Sequence, residues 1–235
     1  DAIHEYALLT VRFESIYKAV FENKFVRHFL RVIPSLGEMV LLGKLWYHEQ
    51  EQVGGRRRFD VIILDAPATG HAISMLATPA AVAKAVPPGA MRENAQLINQ
   101  LLKDPKRSCL HIVTMPEEMP INQARELYTA ARRTPVMSIG TTFVNQSVTP
   151  LSQRVMHPVE TKAEVATLFE AAAKTLQLRE QKRRAGQSQL SKLPKQMNEN
   201  IILLPRLIIE KSFDKSHIEK LSQIISKCIS EQDTK

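Results

Sequence analysis

The chain has 235 residues, of which 44% are hydrophobic and 24% charged, with a formal net charge of +8. This composition is ordinary for a soluble domain, and the length allows one large α/β domain with a sizeable core. No apolar run is long enough to cross a bilayer, and no signal-peptide pattern is present.

The basic residues are spread widely along the chain, which favours a solvated surface over a nucleic-acid or membrane partner. We therefore expect no nucleic acid among the partners. The two cysteines, Cys109 and Cys228, are far apart in sequence. Such sparse usage indicates buried, reduced thiols, which predicts a cytoplasmic location.

The front of the chain has a helical pattern. Apolar residues at roughly helical spacing predict a helix over Ala2–Phe21, and a second short segment continues the pattern over residues 25–32. Ser35 and Glu38 then have the spacing of a capping box, in which each side chain bonds the backbone amide of the other. This box predicts the start of a helix that continues through Trp46.

A strand followed by an acid comes next. The run Val61–Leu64 is unbroken, apolar and rich in β-branched residues, which predicts a strand buried on both faces of a parallel sheet. Asp65 ends the run, and a turn with Pro67 and Gly70 leads to a helical pattern that starts near Ala72. This layout places functional groups at the carboxyl edge of an open α/β sheet. An Asp at such a tip can hold a water of a Mg²⁺ shell.

The middle of the chain continues the alternation of helices and strands. Pro79–Val86 and Met91–Leu102 are predicted helices, separated by a Pro-Pro-Gly break. A buried strand is predicted at Cys109–Val113, and the next helix at Ile121–Arg133. The adjacent acids Glu117 and Glu118 suit a helix start, where carboxylates interact favourably with the helix dipole. A role for Glu117 in a nucleotide-sensing loop is the alternative.

The last third supplies two further strands, at Val136–Val144 and Ile201–Leu204. Between them we predict a helix over Glu160–Leu178 and then a polar, exposed connection over residues 179–189. Asp214 is predicted to cap the final helix. Together the elements predict an α/β fold with a mostly parallel sheet and helices on both faces.

The turn after Asp65 resembles that of a known family. The segment Asp65-Ala-Pro-Ala-Thr-Gly-His71, with Met75-Leu76 and Pro79 behind it, resembles the second switch of the arsenical pump-driving and tail-anchored-protein-targeting ATPases. That family has roughly Asp-Thr-Ala-Pro-Thr-Gly-His, so the order Ala-Pro-Ala-Thr departs from it within the loop. In the family a Pro-Gly-x-x-Glu segment precedes the switch at about the distance of Ser35–Glu38.

The resemblance implies a P-loop NTPase-like fold and an ATPase that uses ATP and Mg²⁺. It implies that Asp65 is a catalytic residue, whose carboxylate holds Mg²⁺ through a water molecule. Asn145 and Pro205, each at the end of a predicted strand, would bind the adenine of the nucleotide; on its own, Asn145 is an ordinary turn residue. The implied switch loop consists of Ala66, Pro67, Thr69, Gly70 and His71.

Some parts of the family pattern do not occur in these 235 residues. The sequence contains no Gly-rich phosphate loop with its Lys, and it begins with Asp1 instead of Met. We therefore expect residues 1–235 to be a single ATPase-like domain without its N-terminal P-loop portion, the rear two-thirds of one unit. Because phosphoryl transfer depends on positioning the phosphates, we expect no hydrolysis from these residues alone.

Two specialised activities of the family are not expected. The interval between Pro79 and Cys109 is about thirty residues, too short for the groove that binds transmembrane segments in the targeting members. Two cysteines cannot supply the three thiolates of an arsenite site.

The resemblance implies a molecular switch that hydrolyses ATP to drive a conformational change toward a partner, and that forms a homodimer with ATP. The sequence does not indicate which effector or membrane protein that partner is. The alternative is a catalytically inert paralogue that acts as a partner-binding subunit. A serine hydrolase is not supported, because no Gly-x-Ser-x-Gly turn is present and Ser74 falls inside a predicted helix.

Overall fold

The computed structural model describes residues 36–134, 136–150, 163–207, 209 and 212–232. The helices predicted over Ala2–Phe21 and 25–32 lie outside this part of the chain, as does Ser35 of the predicted capping box. The helix that the box predicts is confirmed as α1 (Leu36–Gln50), which begins at the residue after Ser35.

The described residues divide into two compact units. The first runs to Cys109 and also includes residues 130–138, whereas the second consists of Leu110–Thr129 and the residues from Ile139 onward. The prediction of a single domain over residues 1–235 stays a prediction. None of the helices in the described part of the chain is long and apolar enough to cross a membrane.

In its described residues, the first unit contains α1, α2 (Thr69–Ala85) and α3 (Ala90–Lys103). They pack against one another. The predicted break between α2 and α3 is confirmed, but α2 begins three residues before Ala72 and continues through Pro79 as one helix. The side chains at the centre of this unit are at most 1% exposed: Leu42, Met75, Ile98 and Leu101.

A short hairpin follows α1. Its strands, β1 (Gln52–Val53) and β2 (Arg56–Arg57), pair antiparallel. The two residues between them, Gly54 and Gly55, have φ angles of +60° and +79°. Two consecutive positive φ angles match the turn whose twist suits a two-residue hairpin, and glycine adopts them without a steric penalty.

The prediction of a strand at Val61–Leu64 is wrong. Residues 61–67 have no regular secondary structure, and the side chains of Val61 and Ile63 are 75% and 88% exposed. A parallel strand needs hydrogen-bonding neighbours and cover on both faces. Among the described residues, no segment pairs with this run, so its β-prone composition does not by itself produce a strand.

The other three predicted strands are confirmed. They are β3 (Cys109–Thr114), β4 (Ser138–Ser147) and β5 (Ile201–Pro205), which form a parallel sheet in the order β3-β4-β5. Because β4 lies between the other two strands, residues near its carboxyl end have a neighbouring strand on each side. The predicted α/β class is therefore confirmed.

Helices flank this sheet. The predicted helix at Ile121–Arg133 is confirmed as α4 (Glu118–Arg133), and Glu118 lies in its first turn as expected for an acid at a helix start. The remaining helices are α5 (Ala163–Leu190), α6 (Lys195–Asn198) and α7 (Lys215–Gln232). One buried cluster joins β3 and α4 to the chain around α6: Ile112, Ile121, Ala124, Tyr128, Leu193 and Met197.

The prediction of a connection over residues 179–189 is wrong, because α5 continues through it, whereas the predicted exposure holds for most of these residues. Arg, Lys, Gln, Glu and Ala, which dominate the segment, are all good helix formers. Glu180 accepts hydrogen bonds from Arg183 at 2.7 Å and Arg184 at 2.9 Å. These bonds lower the pKa of Glu180 from 4.5 to about 2, so its carboxylate stays ionised and paired along the helix.

The cap at the last helix is confirmed. Asp214 Oδ1 accepts hydrogen bonds from the backbone amide of Ser216 at 3.0 Å and from its hydroxyl at 2.7 Å. The buried state expected for both thiols is wrong for Cys109, which is exposed, whereas Cys228 is half-buried; both are free. Cys109 is the first residue of β3, a strand whose other residues alternate in burial.

Candidate functional site

The loop between Asp65 and α2 carries the first set of predicted site residues. Asp65 and Pro67 are exposed and lie in irregular backbone. The helix begins at Thr69, so Gly70 and His71, predicted as part of a loop, stand in its first turn. His71 is exposed, which separates it from the packed core of the helix. The switch role of these residues stays a prediction.

The start of α2 has no side-chain cap. Ala68 occupies the N-cap position with extended backbone angles, φ −64° and ψ 142°, and no side chain of the described residues caps the first amides of the helix. These amides point along the helix axis with the positive end of its dipole, which favours anions. An exposed carboxylate at Asp65 is a hard oxygen donor of the kind that Mg²⁺ and its waters prefer. The residues of this loop therefore fit both a phosphate and a hydrated magnesium ion.

The hairpin before this loop is fastened to α1. The carboxylate of Glu51 accepts hydrogen bonds from His48 at 2.9 Å and from Arg58 at 2.6 Å. These two bonds lower the pKa of Glu51 below its ordinary value. The Arg58 guanidinium also lies over the ring of Phe59, 5.1 Å from its centre. The chain that leads to Asp65 is thus anchored at Arg58.

The second set of predicted site residues lies at the carboxyl ends of β4 and β5. Val144 pairs with Leu203 and Ser147 pairs with Pro205. Between these two pairs β4 has one residue more than β5, which defines a β-bulge. The structure therefore brings the strand ends that carry Asn145 and Pro205 together, although their chain positions are about sixty residues apart. The nucleotide-binding role of the two residues stays a prediction.

The bulge has a defined backbone. Gln146 has a φ of +56°, an uncommon value for a residue with a side chain and one that recurs at functional sites. Its backbone amide donates a hydrogen bond of 2.9 Å to Oδ1 of Asn145. The Ser147 hydroxyl donates to the carbonyl of Val144 at 3.1 Å, and the Arg206 amide donates to the carbonyl of Ser147 at 3.0 Å. The bulge is therefore bonded on both sides.

The loop after β3 lies against α5. A Cβ atom added at Gly186 would be 3.1 Å from Cβ of Pro116, so a larger residue at this position would require the helix or the loop to shift slightly. Lys182 Nζ lies 3.7 Å from Oε1 of Glu117, with both side chains about half exposed. Glu117 thus has an ion-pair partner on α5 in addition to its place before α4.

Gln146 and Gly186 are not among the site residues predicted from the sequence. The residue type of Gln146 does not predict a positive φ angle, since the bulge follows from the pairing of β4 with β5. The sequence does contain an indication of the close packing at Gly186. A glycine inside a run of helix-forming residues costs about 1 kcal/mol relative to alanine and often has a packing reason.

A family model described as anion-transporting ATPase matches residues 3–88. The match contains the whole segment from Asp65 to His71 and ends before Asn145. No curated protein matches the chain. The class indicated for this segment is a nucleotide-dependent ATPase. The resemblance to the anion-transporting ATPase family is therefore confirmed over residues 3–88.

Proposed function

We propose that this protein is a Mg²⁺-ATP-dependent molecular switch that hydrolyses ATP to drive a conformational change toward a partner. The observation that carries the proposal is the family match over residues 3–88, which includes the motif from Asp65 to His71. The exposed position of Asp65 and the uncapped start of α2 support it, because both are accessible to a nucleotide.

Each residue has a stated part in this proposal. The Asp65 carboxylate holds a water of the magnesium shell, and bound Mg²⁺ would supply charge neutralisation at the phosphates. The first amides of α2 orient toward negative charge. Asn145 and Pro205 bind adenine, the first by hydrogen bonds and the second by its apolar ring.

The proposal includes a homodimer that forms with ATP, and a cytoplasmic location, which the two free thiols support. The family resemblance motivates the dimer. Sedimentation of the full-length native protein with a non-hydrolysable ATP analogue tests it. A dimer at micromolar protein is expected, and a strictly monomeric profile contradicts this part of the proposal.

The main experiment is Asp65→Asn in the full-length native protein. The change removes a charge and preserves size, so ATP binding stays largely intact while turnover falls at least about tenfold, or roughly 1.4 kcal/mol of transition-state stabilisation. Asp60→Asn is the matched control, because Asp60 is also exposed and precedes the motif. Unchanged hydrolysis in Asp65→Asn overturns the catalytic assignment.

The same measurements separate the switch from the inert paralogue. A parent protein that binds ATP but shows no turnover favours a partner-binding subunit. Hydrogen exchange across residues 65–76 then tests the switch itself. We expect ATP to change the exchange rates in this segment, and identical rates with and without ATP contradict a switch.

A further inference from the structure

Asn145 can distinguish two purine bases only if its carboxamide has a fixed orientation. Adenine offers an exocyclic amine beside a ring nitrogen that accepts, whereas guanine offers a carbonyl beside a ring nitrogen that donates. A carboxamide matches either pattern, because turning it by half a rotation exchanges its acceptor oxygen and its donor nitrogen. A free Asn side chain therefore provides little selection between the two bases.

In this structure the carboxamide is held from one side. The backbone amide of Gln146 donates to Oδ1 of Asn145 at 2.9 Å. Among the described residues, Nδ2 of Asn145 has no hydrogen-bond partner. Turning the carboxamide would place Nδ2 against the Gln146 amide, so that two donors would face each other and one hydrogen bond would be lost. The oxygen keeps a second lone pair for a ligand.

The orientation of the Gln146 amide follows from the bulge. The N–H lies in the peptide plane that joins Asn145 to Gln146, both of them residues of the bulge, and the positive φ of +56° at Gln146 sets the course of the chain that follows this plane. The bonds of Ser147 to Val144 and of Arg206 to Ser147 fix the residues on its carboxyl side. The Gln146 side chain is exposed, so the backbone, not the side chain, supplies the contact.

We propose that the backbone amide of Gln146 is a specificity-determining group, which holds the Asn145 carboxamide in the orientation that accepts adenine and disfavours guanine. This inference rests on the proposed function, because it takes the nucleotide base to lie against Asn145. It adds a cause for base selection: the bulge between β4 and β5 acts on Asn145 through one hydrogen bond.

The experiment compares affinities for ATP and GTP in the full-length native protein by calorimetry. Gln146→Gly retains the amide and suits a positive φ, so the ATP:GTP affinity ratio stays that of the parent. Gln146→Val disfavours a positive φ, because valine is β-branched. A changed φ at residue 146 alters the course of the bulge and with it the peptide plane between Asn145 and residue 146, so the amide is displaced and the ratio falls about tenfold, the size of one hydrogen bond left unmade.

Two further variants keep the test decisive if Gln146→Val does not fold. Replacing residue 146 by the α-hydroxy acid that corresponds to glutamine puts an ester oxygen, which cannot donate, in place of the N–H, and we expect the same fall in the ratio. Asn145→Asp presents two acceptors, one for Gln146 and one for the donors of guanine, so the preference shifts toward GTP by about tenfold or more.

The outcomes distinguish this inference from the function on which it rests. A parent that binds neither nucleotide overturns the proposed function. A parent that binds ATP, with an ATP:GTP ratio that neither Gln146→Val nor the hydroxy-acid variant changes, overturns the role of the Gln146 amide alone. An equal loss of both affinities, with the ratio retained, does the same, because it indicates a purely structural bulge.

Discussion

Two four-residue apolar runs in this chain have nearly the same sequence character and opposite structures. Val61–Leu64 belongs to the first unit and is irregular, with Ile63 88% exposed. Ile201–Leu204 belongs to the second unit and forms most of β5, with Ile202 only 1% exposed. Both runs end at a residue followed by a turn or loop.

The difference between the runs lies in their neighbours. Ile201 to Leu203 pair residue by residue with Thr142 to Val144 of β4. No described segment pairs with Val61–Leu64. Strand propensity largely measures how a side chain packs against cross-strand and same-face neighbours, so the same composition is stable as a strand in one place only.

The largest expected effect comes from truncating one residue in each run. Ile202→Ala removes a fully buried side chain and should lower the free energy of unfolding by about 2–5 kcal/mol. Ile63→Ala removes an exposed side chain and should change it by less than about 0.5 kcal/mol. Chemical denaturation of both variants measures the two values. An equal loss of unfolding free energy in both variants would contradict the difference between the two runs, because it would show that Ile63 is buried as well.

A smaller effect tests the packing that covers the paired strands. Gly186→Ala places a Cβ atom 3.1 Å from Pro116, and overpacking typically costs about 1–3 kcal/mol. The better helix propensity of alanine offsets about 1 kcal/mol of this, which leaves a net destabilisation of up to about 2 kcal/mol.

Gly37→Ala is the matched control, since no atom of the described residues lies within 4 Å of a Cβ atom there. We expect that variant to be slightly more stable than the parent in thermal denaturation. If Gly186→Ala were stabilised as well, the close approach of α5 to the loop after β3 would not matter for folding.

The smallest effect concerns pH at the start of α7, the helix that packs on β5. Hydrogen bonds from Ser216 and His217 lower the pKa of Asp214 from 3.8 to about 2. Because the pKa of Asp214 is lowered in the folded state, its ionised carboxylate stabilises the helix fully at pH values above the ordinary pKa of 3.8. This contribution is lost as the pH falls from about 3.8 toward 2. Backbone amide shifts of Ser216 and His217 should therefore move in that window.

Asp214→Asn is the control for the pH experiment. Asparagine also caps helices well, but its side chain does not titrate. The amide chemical shifts of Ser216 and His217 should therefore not change between about pH 4 and about pH 2 in this variant. A shift of equal size in this variant would assign the change to another group.

Local signals predicted the helices well. The spacing of Ser35 and Glu38 predicted the start of α1, and the Pro-Pro-Gly break separated α2 from α3. Asp214 predicted the start of α7. Each signal acts within one helical turn, through backbone amides that only nearby residues can satisfy.

Features that depend on distant neighbours were harder to predict. The strand at Val61–Leu64 failed because composition does not reveal pairing partners. The polar stretch after Leu178 was predicted as a connection, although its residues favour a helix. At the candidate site, Asn145 and Pro205 could be named from their positions after strands, but the bulge at Gln146 depends on the register between β4 and β5 and has no local signature.

The hairpin of β1 and β2 sets a limit on how far Asp65 can travel. Asp65 stands seven positions after Arg58, whose guanidinium bonds Glu51, and four positions before Thr69, where α2 begins. A fully stretched chain covers about 3.3–3.6 Å per residue, so Asp65 stays within about 25 Å of one anchor and about 14 Å of the other. Asp65 therefore lies in a short segment that is anchored at both ends. Any ion that Asp65 holds therefore lies within this distance of the amino end of α2, whatever the conformation of the loop.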